Sequence, residues 1–121
     1  MADELTEKII GAAIEVHRVL GCGLLESVYE VALCHELGLR SLMCRQQLAV
    51  NVVYKGITIE GQRLDMLVED EVVVELKSQA KLPEVATAQL LSYLKATGLK
   101  RGLLINFGEY RLIDGIKRIS L

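Results

Sequence analysis

Three residues in the middle of the chain, Asp65, Glu75 and Lys77, have the types and spacing of a hydrolytic site. Asp65 lies in one largely apolar segment, and Glu75 and Lys77 lie in the next. Two carboxylates can hold a hard divalent cation such as Mg²⁺, which keeps several waters. Such a metal polarises a phosphoryl oxygen and activates a water, while Lys77 would orient that water or stabilise charge in the transition state.

The two segments are predicted strands of one hairpin, because only three polar residues, 69–71, separate Arg63–Val68 from Val72–Lys77. Side chains alternate along a strand, so the register must keep the apolar faces together. That register has three opposed pairs on one face: Leu67 with Val73, Asp65 with Glu75, and Arg63 with Lys77. The other face of the first strand is apolar and consists of Leu64, Met66 and Val68.

Opposed carboxylates in this register would lie about 5 Å apart at their Cβ atoms, where like charges are destabilising. Their repulsion could reach roughly 3 kcal/mol at an effective dielectric constant near 20. Lys77 or a bound cation would offset it. Without Asp65, the simplest explanation of Glu75 and Lys77 would be a solvated ion pair at the end of an edge strand. Asp65 lies on the matching face of the neighbouring strand, which favours a hydrolytic site.

Two helices are predicted ahead of the hairpin, on either side of a Gly-Cys-Gly break at residues 21–23. The first covers Leu5–Leu20, where apolar residues recur at helical spacing. The second covers Leu24–Leu37, with Ser27 and Glu30 spaced as a capping box and Gly38 placed to end it.

Strands and one further helix are predicted for the rest of the chain. Valine-rich Leu48–Tyr54 is a strand, and Lys55-Gly56 forms the turn into a short strand, Ile57–Ile59. The elements after the hairpin are a helix from Pro83 to about Thr97 that Gly98 ends, a strand Arg101–Phe107, and a segment Tyr110–Leu121 that fits either a strand or a frayed helix. The order ααβββαβ predicts an α/β (α+β) fold with a mixed sheet.

Length and composition place the chain among globular proteins with one domain, residues 1–121, since it has 121 residues, of which 51% are hydrophobic and 25% charged. No apolar run reaches the ~18 residues that span a bilayer, so we expect a soluble protein without membrane association. The acidic start, MADELTEKII, lacks the features of a signal peptide. The expected location is the cytoplasm.

Charge and cysteine content narrow the classes of partner and site. A net charge of -2 argues against binding nucleic acid by charge alone, although residues 95–121 carry six bases and two acids. Aromatic residues make up 4% of the chain, so a stacking platform for single strands is not expected. Cys22, Cys34 and Cys44 have no C-x-x-C spacing, which predicts reduced thiols and no zinc site.

The segment Gly23-Leu24-Leu25-Glu26-Ser27-Val28-Tyr29 resembles the signature of the GxxExxY proteins, small domains of the PD-(D/E)xK nuclease superfamily. The resemblance covers nearly the whole chain. It continues through residues 14–17, 53–56, 63–65, 74–77, 88–94 and 104–107. It implies a restriction-endonuclease-like core, in which a mixed central sheet is flanked by helices.

This resemblance also implies roles for particular residues. Asp65, Glu75 and Lys77 fall on the positions that bind metal and activate water, and Glu26 falls where an acid of a preceding helix often joins the metal ligands. Gln89 and Tyr93 are similar to the Gln-x-x-x-Tyr element of recombination-type nucleases. A leucine precedes Asp65 in place of the proline of the motif, a variation that many members share.

The implied function is a nuclease that uses Mg²⁺ or Mn²⁺ and acts on nucleic acid, with DNA favoured over RNA. The alternative is a catalytically silent nuclease-fold module that binds nucleic acid or a protein partner, and a homodimer is compatible with either. Tyr93, Tyr29 and His17 are the possible supporting residues of the site, and three candidate residues have structural alternatives. Glu26 suits the first turn of any helix, Tyr29 suits packing with a bonded hydroxyl, and His17 suits a packed or hydrogen-bonded position.

Overall fold

The computed structural model describes residues 3–121. Its elements are helices α1 (Glu4–Leu20) and α2 (Glu26–Leu39), strands β1 (Cys44–Tyr54), β2 (Ile57–Val68) and β3 (Val72–Lys77), helix α3 (Val85–Thr97), strand β4 (Arg101–Asn106), a 3₁₀ helix (Leu112–Gly115) and strand β5 (Ile116–Ser120). The order ααβββαβ is confirmed through β4, with the predicted strands Ile57–Ile59 and Arg63–Val68 joined in β2. The ambiguous C-terminal segment adds the 3₁₀ helix and a fifth strand.

The five strands form one mixed sheet in the order β1-β2-β3-β4-β5. β3 and β4 are parallel, and the other neighbouring pairs are antiparallel. A parallel pair needs a crossover connection, which α3 provides. Gly98 ends α3 in the left-handed conformation at φ 76°, as the sequence predicts. The expected α/β fold with a mixed sheet flanked by helices is confirmed.

Hydrophobic clusters cover both faces of the sheet. One cluster, formed with α1 and α2, contains Val72, Val74 and Leu76 of β3. The other cluster, formed with α3, contains Val73 of the same strand and Leu67 of β2. This alternation places Glu75, which has the parity of Val73, on the α3 side of the sheet.

Helix α2 begins two residues later and ends two residues later than predicted. No side chain caps its start at Leu25, so the predicted capping box of Ser27 and Glu30 is wrong. The Glu30 carboxylate instead accepts hydrogen bonds from the side-chain amides of Gln46 and Gln47 on β1. These partners lie 16 and 17 residues away in the sequence, beyond the range of a local capping pattern.

Strand β2 is continuous, whereas the sequence predicted two shorter strands. It pairs with β1 through a tight turn in which Lys55 and Gly56 have positive φ values of 46° and 87°. Every residue from 51 to 63 is exposed, so this part of the hairpin is a two-stranded ribbon that neither hydrophobic cluster covers. We call residues 51–63 the β1–β2 ribbon.

Leu64 packs on the α3 side of the sheet, so its predicted placement with Met66 and Val68 is wrong. Gln46 pairs with Met66, and Leu48 pairs with Leu64. Gln47, which lies between them on β1, is skipped in this pairing and has a positive φ of 53°. Leu64 and Met66 thus lie on opposite faces although they are two residues apart. The register of β1 with β2 does not shift here; its shift lies between Val50 and Val52.

Within residues 3–121, no helix is long and apolar enough to cross a membrane. The three cysteines are free, as predicted.

Candidate active site

The two central carboxylates come together where the pairing of β2 with β3 ends. The ladder contains Val68 with Val72, Leu67 with Val73, and Met66 with Val74. The predicted register is therefore confirmed, and Asp65 and Glu75 are the next residues along it. The ladder stops before them, so the predicted pairing of Arg63 with Lys77 is wrong.

Side chains replace the backbone ladder at this point. The backbone N–H of Asp65 donates to Glu75 Oε1 at 2.9 Å, and the backbone N–H of Leu76 donates to Asp65 Oδ2 at 2.9 Å. Each carboxylate thus binds a backbone amide of the opposite strand. Because these bonds take the place of main-chain pairing, the strands can separate while both acids stay side by side.

Glu75 is an acid in an unfavourable place for its charge, because the residue is only 3% exposed. Burial raises the pKa of Glu75 to about 8, and the neighbouring Asp65 charge adds to the rise. The bond from the Asp65 amide and the charge of Lys77 act in the opposite direction without cancelling it. Positive charge brought to this position would stabilise the ionised form.

Lys77 and Glu26 meet the carboxylate pair from the ends of their elements. Lys77 ends β3, and Glu26 is the first residue of α2. Partial desolvation raises the pKa of Glu26, the charge of Lys77 lowers it, and the charge of Asp65 raises it. Both charges therefore act on Glu26. The hydroxyl of Ser78, which follows Lys77, donates to the Leu24 carbonyl at 2.5 Å and ties the two element ends together.

Helix α3 adds a polar chain on the same side of the sheet. Gln89 Nε2 donates to the Tyr93 hydroxyl at 3.0 Å, and that hydroxyl donates to Gln62 Oε1 on β2 at 3.3 Å. Burial raises the pKa of Tyr93, and the charges of Glu75 and Asp65 raise it further. The charges of the carboxylates therefore reach Tyr93, and Gln89 is joined to Tyr93 by its hydrogen bond. Gln62 was missed, since the strand that carries it was predicted in two pieces.

Tyr29 and His17 hold the surrounding chain. The Tyr29 ring is fully buried and stacks on Phe107 with centroids 4.4 Å apart. Its hydroxyl donates to the Gly21 carbonyl at 2.6 Å and accepts from the Leu24 amide at 3.2 Å, which fixes the loop before α2. His17 Nε2 lies 2.9 Å from the Glu109 carbonyl oxygen. The observed contacts of both side chains are structural.

The sequence matches a known protein family. A sequence profile of the PD-(D/E)XK nuclease superfamily matches residues 3–119. The chain belongs to the PD-(D/E)XK nuclease superfamily.

The architecture is consistent with the restriction-endonuclease-like fold of PD-(D/E)XK proteins. The crystal structure of SSO0001 has a similar fold, with a TM-score of 0.51 and 17% sequence identity. The match covers 98% of this chain and 78% of that chain, and at this identity it shows the fold alone. Among curated proteins, none matches the chain.

PD-(D/E)XK nucleases generally use divalent metal ions. No group of three or more His, Cys, Asp or Glu side chains within residues 3–121 is arranged to hold a metal. Asp65 and Glu75 nevertheless fit Mg²⁺ or Mn²⁺, because such ions take one or two carboxylates and complete their shell with water and phosphate. The backbone amides engage Asp65 Oδ2 and Glu75 Oε1, which leaves one oxygen of each carboxylate without a backbone donor.

Asn106 fixes the segment that follows Lys77, and the sequence did not single it out. The side chain is fully buried at the end of β4. Its Oδ1 accepts from the amides of Gln79 and Gly108 at 3.0 Å each, and its Nδ2 donates to the Gln79 carbonyl at 2.9 Å. The approach is close, since a Cβ on Gly108 would lie 2.1 Å from the Gln79 carbonyl oxygen.

Asn106→Ala is expected to lower the free energy of unfolding by about 1 to 3 kcal/mol, because it leaves partly buried backbone groups without partners. Urea denaturation measures this change. Asn51→Ala, at an exposed position of the β1–β2 ribbon, is the matched control and should change stability by less than about 0.5 kcal/mol. Equal stability of the two variants would show that the Asn106 bonds contribute nothing.

Proposed function

We propose that the protein is a divalent-metal-dependent nuclease that hydrolyses phosphodiester bonds, with DNA as the preferred substrate and RNA as the second. The observation that carries the proposal is the anchored pair of Asp65 and Glu75 beside Lys77. The superfamily match supports it. A bound Mg²⁺ or Mn²⁺ supplies Lewis acidity toward a phosphoryl oxygen and an activated water.

Each side chain of the site has its own proposed role. Asp65 and Glu75 would hold the metal. Glu26, which is not grouped with them in the metal-free protein, would join them from the start of α2 once the metal is bound. Lys77 donates a hydrogen bond to the attacking water or to the charge that develops on the phosphoryl group. Gln89, held by its bond to Tyr93, orients the substrate from the α3 side.

The GxxExxY signature gains a structural rationale that supports assignment to that subfamily. Gly23 has a φ of 101°, which a residue with a side chain rarely adopts. Glu26 begins α2 next to the carboxylate pair. The Tyr29 hydroxyl bonds to the Gly21 carbonyl and the Leu24 amide and so closes the loop before α2. The three signature residues thus shape one loop and deliver one acid.

Cleavage of single-stranded, duplex and structured nucleic acids with Mg²⁺ or Mn²⁺ tests the proposal directly. The expected result is cleavage of at least one substrate, lost on addition of EDTA and in Glu75→Ala. If no nucleic acid is cleaved with either metal, while wild type and Glu75→Ala bind nucleic acid equally, the protein is a binding module and the proposal fails.

Metal binding can be measured separately through stability. Asp65→Asn retains an oxygen that can accept from the Leu76 amide, and it removes a charge beside Glu75. The metal-free variant should therefore melt at the same temperature as wild type or slightly higher. Mn²⁺ at 100 times its Kd should stabilise wild type by about 2.7 kcal/mol and should not stabilise the variant.

Asp70→Asn is the matched control for this experiment, because Asp70 lies in the turn between β2 and β3 and its ion pair with Arg45 is exposed. It should keep the stabilisation by Mn²⁺. A large loss of metal-free stability in Asp65→Asn would instead assign Asp65 a structural role.

A further inference from the structure

A groove runs between the β1–β2 ribbon and α3, beside the carboxylate pair. Its volume is about 310 Å³. The residues that line this ribbon groove include Val50, Val52, Gln62, Gln89, Ser92 and Tyr93. Pockets for small molecules begin at roughly 300 Å³, so the ribbon groove suits one small group and not a larger ligand.

The lining of the ribbon groove is neutral and mixed in character. Valine side chains supply apolar walls, while Gln62, Gln89, Ser92 and Tyr93 supply amides and hydroxyls. None of the lining residues is charged, which makes the groove unsuited to a phosphate. A glutamine amide offers both a donor and an acceptor, the combination that pairs with the edge of a nucleobase.

Two neighbours place this groove along a nucleic-acid strand. Tyr93 joins it to the strand that carries Asp65, since the Tyr93 hydroxyl donates to Gln62 Oε1 at 3.3 Å and Gln62 lies three residues before Asp65 on β2. On the other side, an adjoining groove of about 420 Å³ shares Val52 and Ser92 with it and is also lined by Lys95. A base in the ribbon groove would thus have a metal-binding site on one side and an ammonium group for a phosphate on the other.

The base would have to be unpaired. In a duplex the Watson–Crick edge of a base is occupied by the partner strand and its faces by neighbouring bases, so a base that stays paired and stacked could not enter a groove of this size. The scarcity of aromatic residues is consistent with such a site, because one base would be held by amides and valines instead of a row of stacked rings. Tyr93 is the aromatic residue that the lining includes.

We propose that the ribbon groove binds one unpaired nucleobase next to the scissile phosphate, so that the substrate, if the proposed nuclease function holds, is a strand of DNA or RNA with an unpaired base at that position. Gln62 is the residue that determines this preference. It accepts from Tyr93 and presents its amide N–H₂ group to the groove edge.

Binding measured in EDTA by fluorescence anisotropy tests the base site without catalysis. The probes are a short labelled single strand, as DNA and as RNA, its duplex, and an abasic strand of equal length. Wild type should bind at least one of the two single strands about 10-fold more tightly than the duplex or the abasic strand. Gln62→Leu should weaken single-strand binding about 10-fold, the order of one lost hydrogen bond to the base. Ser92→Trp should weaken it about as much, because the larger side chain fills the groove.

Salt dependence separates base contacts from phosphate contacts. Gln62→Leu should lower affinity without changing the slope of log K against log salt, whereas Lys95→Ala should reduce the slope. Gln62 and Ser92 are both exposed, so neither substitution removes a core side chain. Single strands, duplex and abasic strand bound equally, or unchanged binding in both groove variants, would overturn the base site.

The two proposals fail independently. Cleavage by wild type with Mn²⁺, together with groove variants that bind and cleave normally, would preserve the nuclease and reject the base site. Base-dependent binding that both groove variants weaken, without cleavage by wild type, would preserve the base site and reject the nuclease.

Discussion

Lys77→Ala is expected to reduce metal-dependent cleavage by about 100- to 1000-fold, the usual cost of losing one transition-state donor. The same variant should bind Mn²⁺ with unchanged affinity. A protonated lysine has no lone pair for coordination, so the metal depends on Asp65 and Glu75. Single-turnover cleavage and calorimetric Mn²⁺ titration measure the two effects on the same preparation.

Two further variants calibrate this result. Glu75→Ala should lose both cleavage and Mn²⁺ binding, because it removes a proposed ligand. Lys81→Ala removes an exposed ammonium four residues beyond Lys77 and should retain both. Normal cleavage by Lys77→Ala would remove Lys77 from the catalytic set, and loss of Mn²⁺ binding in that variant would assign Lys77 to holding the carboxylates.

The central hairpin could be predicted from sequence because its information is local. Strand alternation and a three-residue connection are enough to set Leu67 opposite Val73, and that register brings Asp65 and Glu75 to the same side. The end of the ladder could not be predicted. The ladder ends because each carboxylate accepts a hydrogen bond from a backbone amide of the opposite strand. A continued backbone ladder would have had the same register, so the register alone does not predict where the ladder ends.

The start of α2 shows how distant partners override a local pattern. The Leu24 carbonyl accepts from Ser78, which is 54 residues away, and the Leu24 amide donates to the Tyr29 hydroxyl. These bonds hold Leu24 in the loop, so the helix begins at Glu26. The shift matters for the proposed function, because it makes Glu26 the first residue of α2.

Gln62 illustrates a different limit. The hydrogen bond between Gln62 and Tyr93 depends on the position of α3, which starts 23 residues later in the sequence and packs on one face of the sheet. A pattern of residue types along β2 contains no information about that approach. The ribbon groove is likewise a product of packing between an exposed hairpin and a helix, and only the structure reveals it.

The metal-free protein is expected to lose stability as the pH rises from about 4.5 toward 8, and Glu75 should account for the loss. Burial and the Asp65 charge raise the pKa of Glu75 from 4.5 to about 8 in the folded state. Below pH 4.5 both states hold the proton. Between the two values the unfolded state releases it and the folded state retains it, so folding becomes progressively less favourable by several kcal/mol at most.

Urea denaturation in EDTA at intervals between pH 4.5 and 8.5 measures this slope. Glu75→Gln keeps an oxygen to accept from the Asp65 amide and has no proton to lose, so its profile should be flatter than that of wild type. Glu60→Gln, at an exposed ribbon position, should follow wild type. Saturating Mn²⁺ should reverse the trend in wild type, because a cation stabilises the ionised pair that rising pH creates. Equal slopes in wild type and Glu75→Gln would show that Glu75 titrates normally and that the carboxylate pair is not poised for a cation.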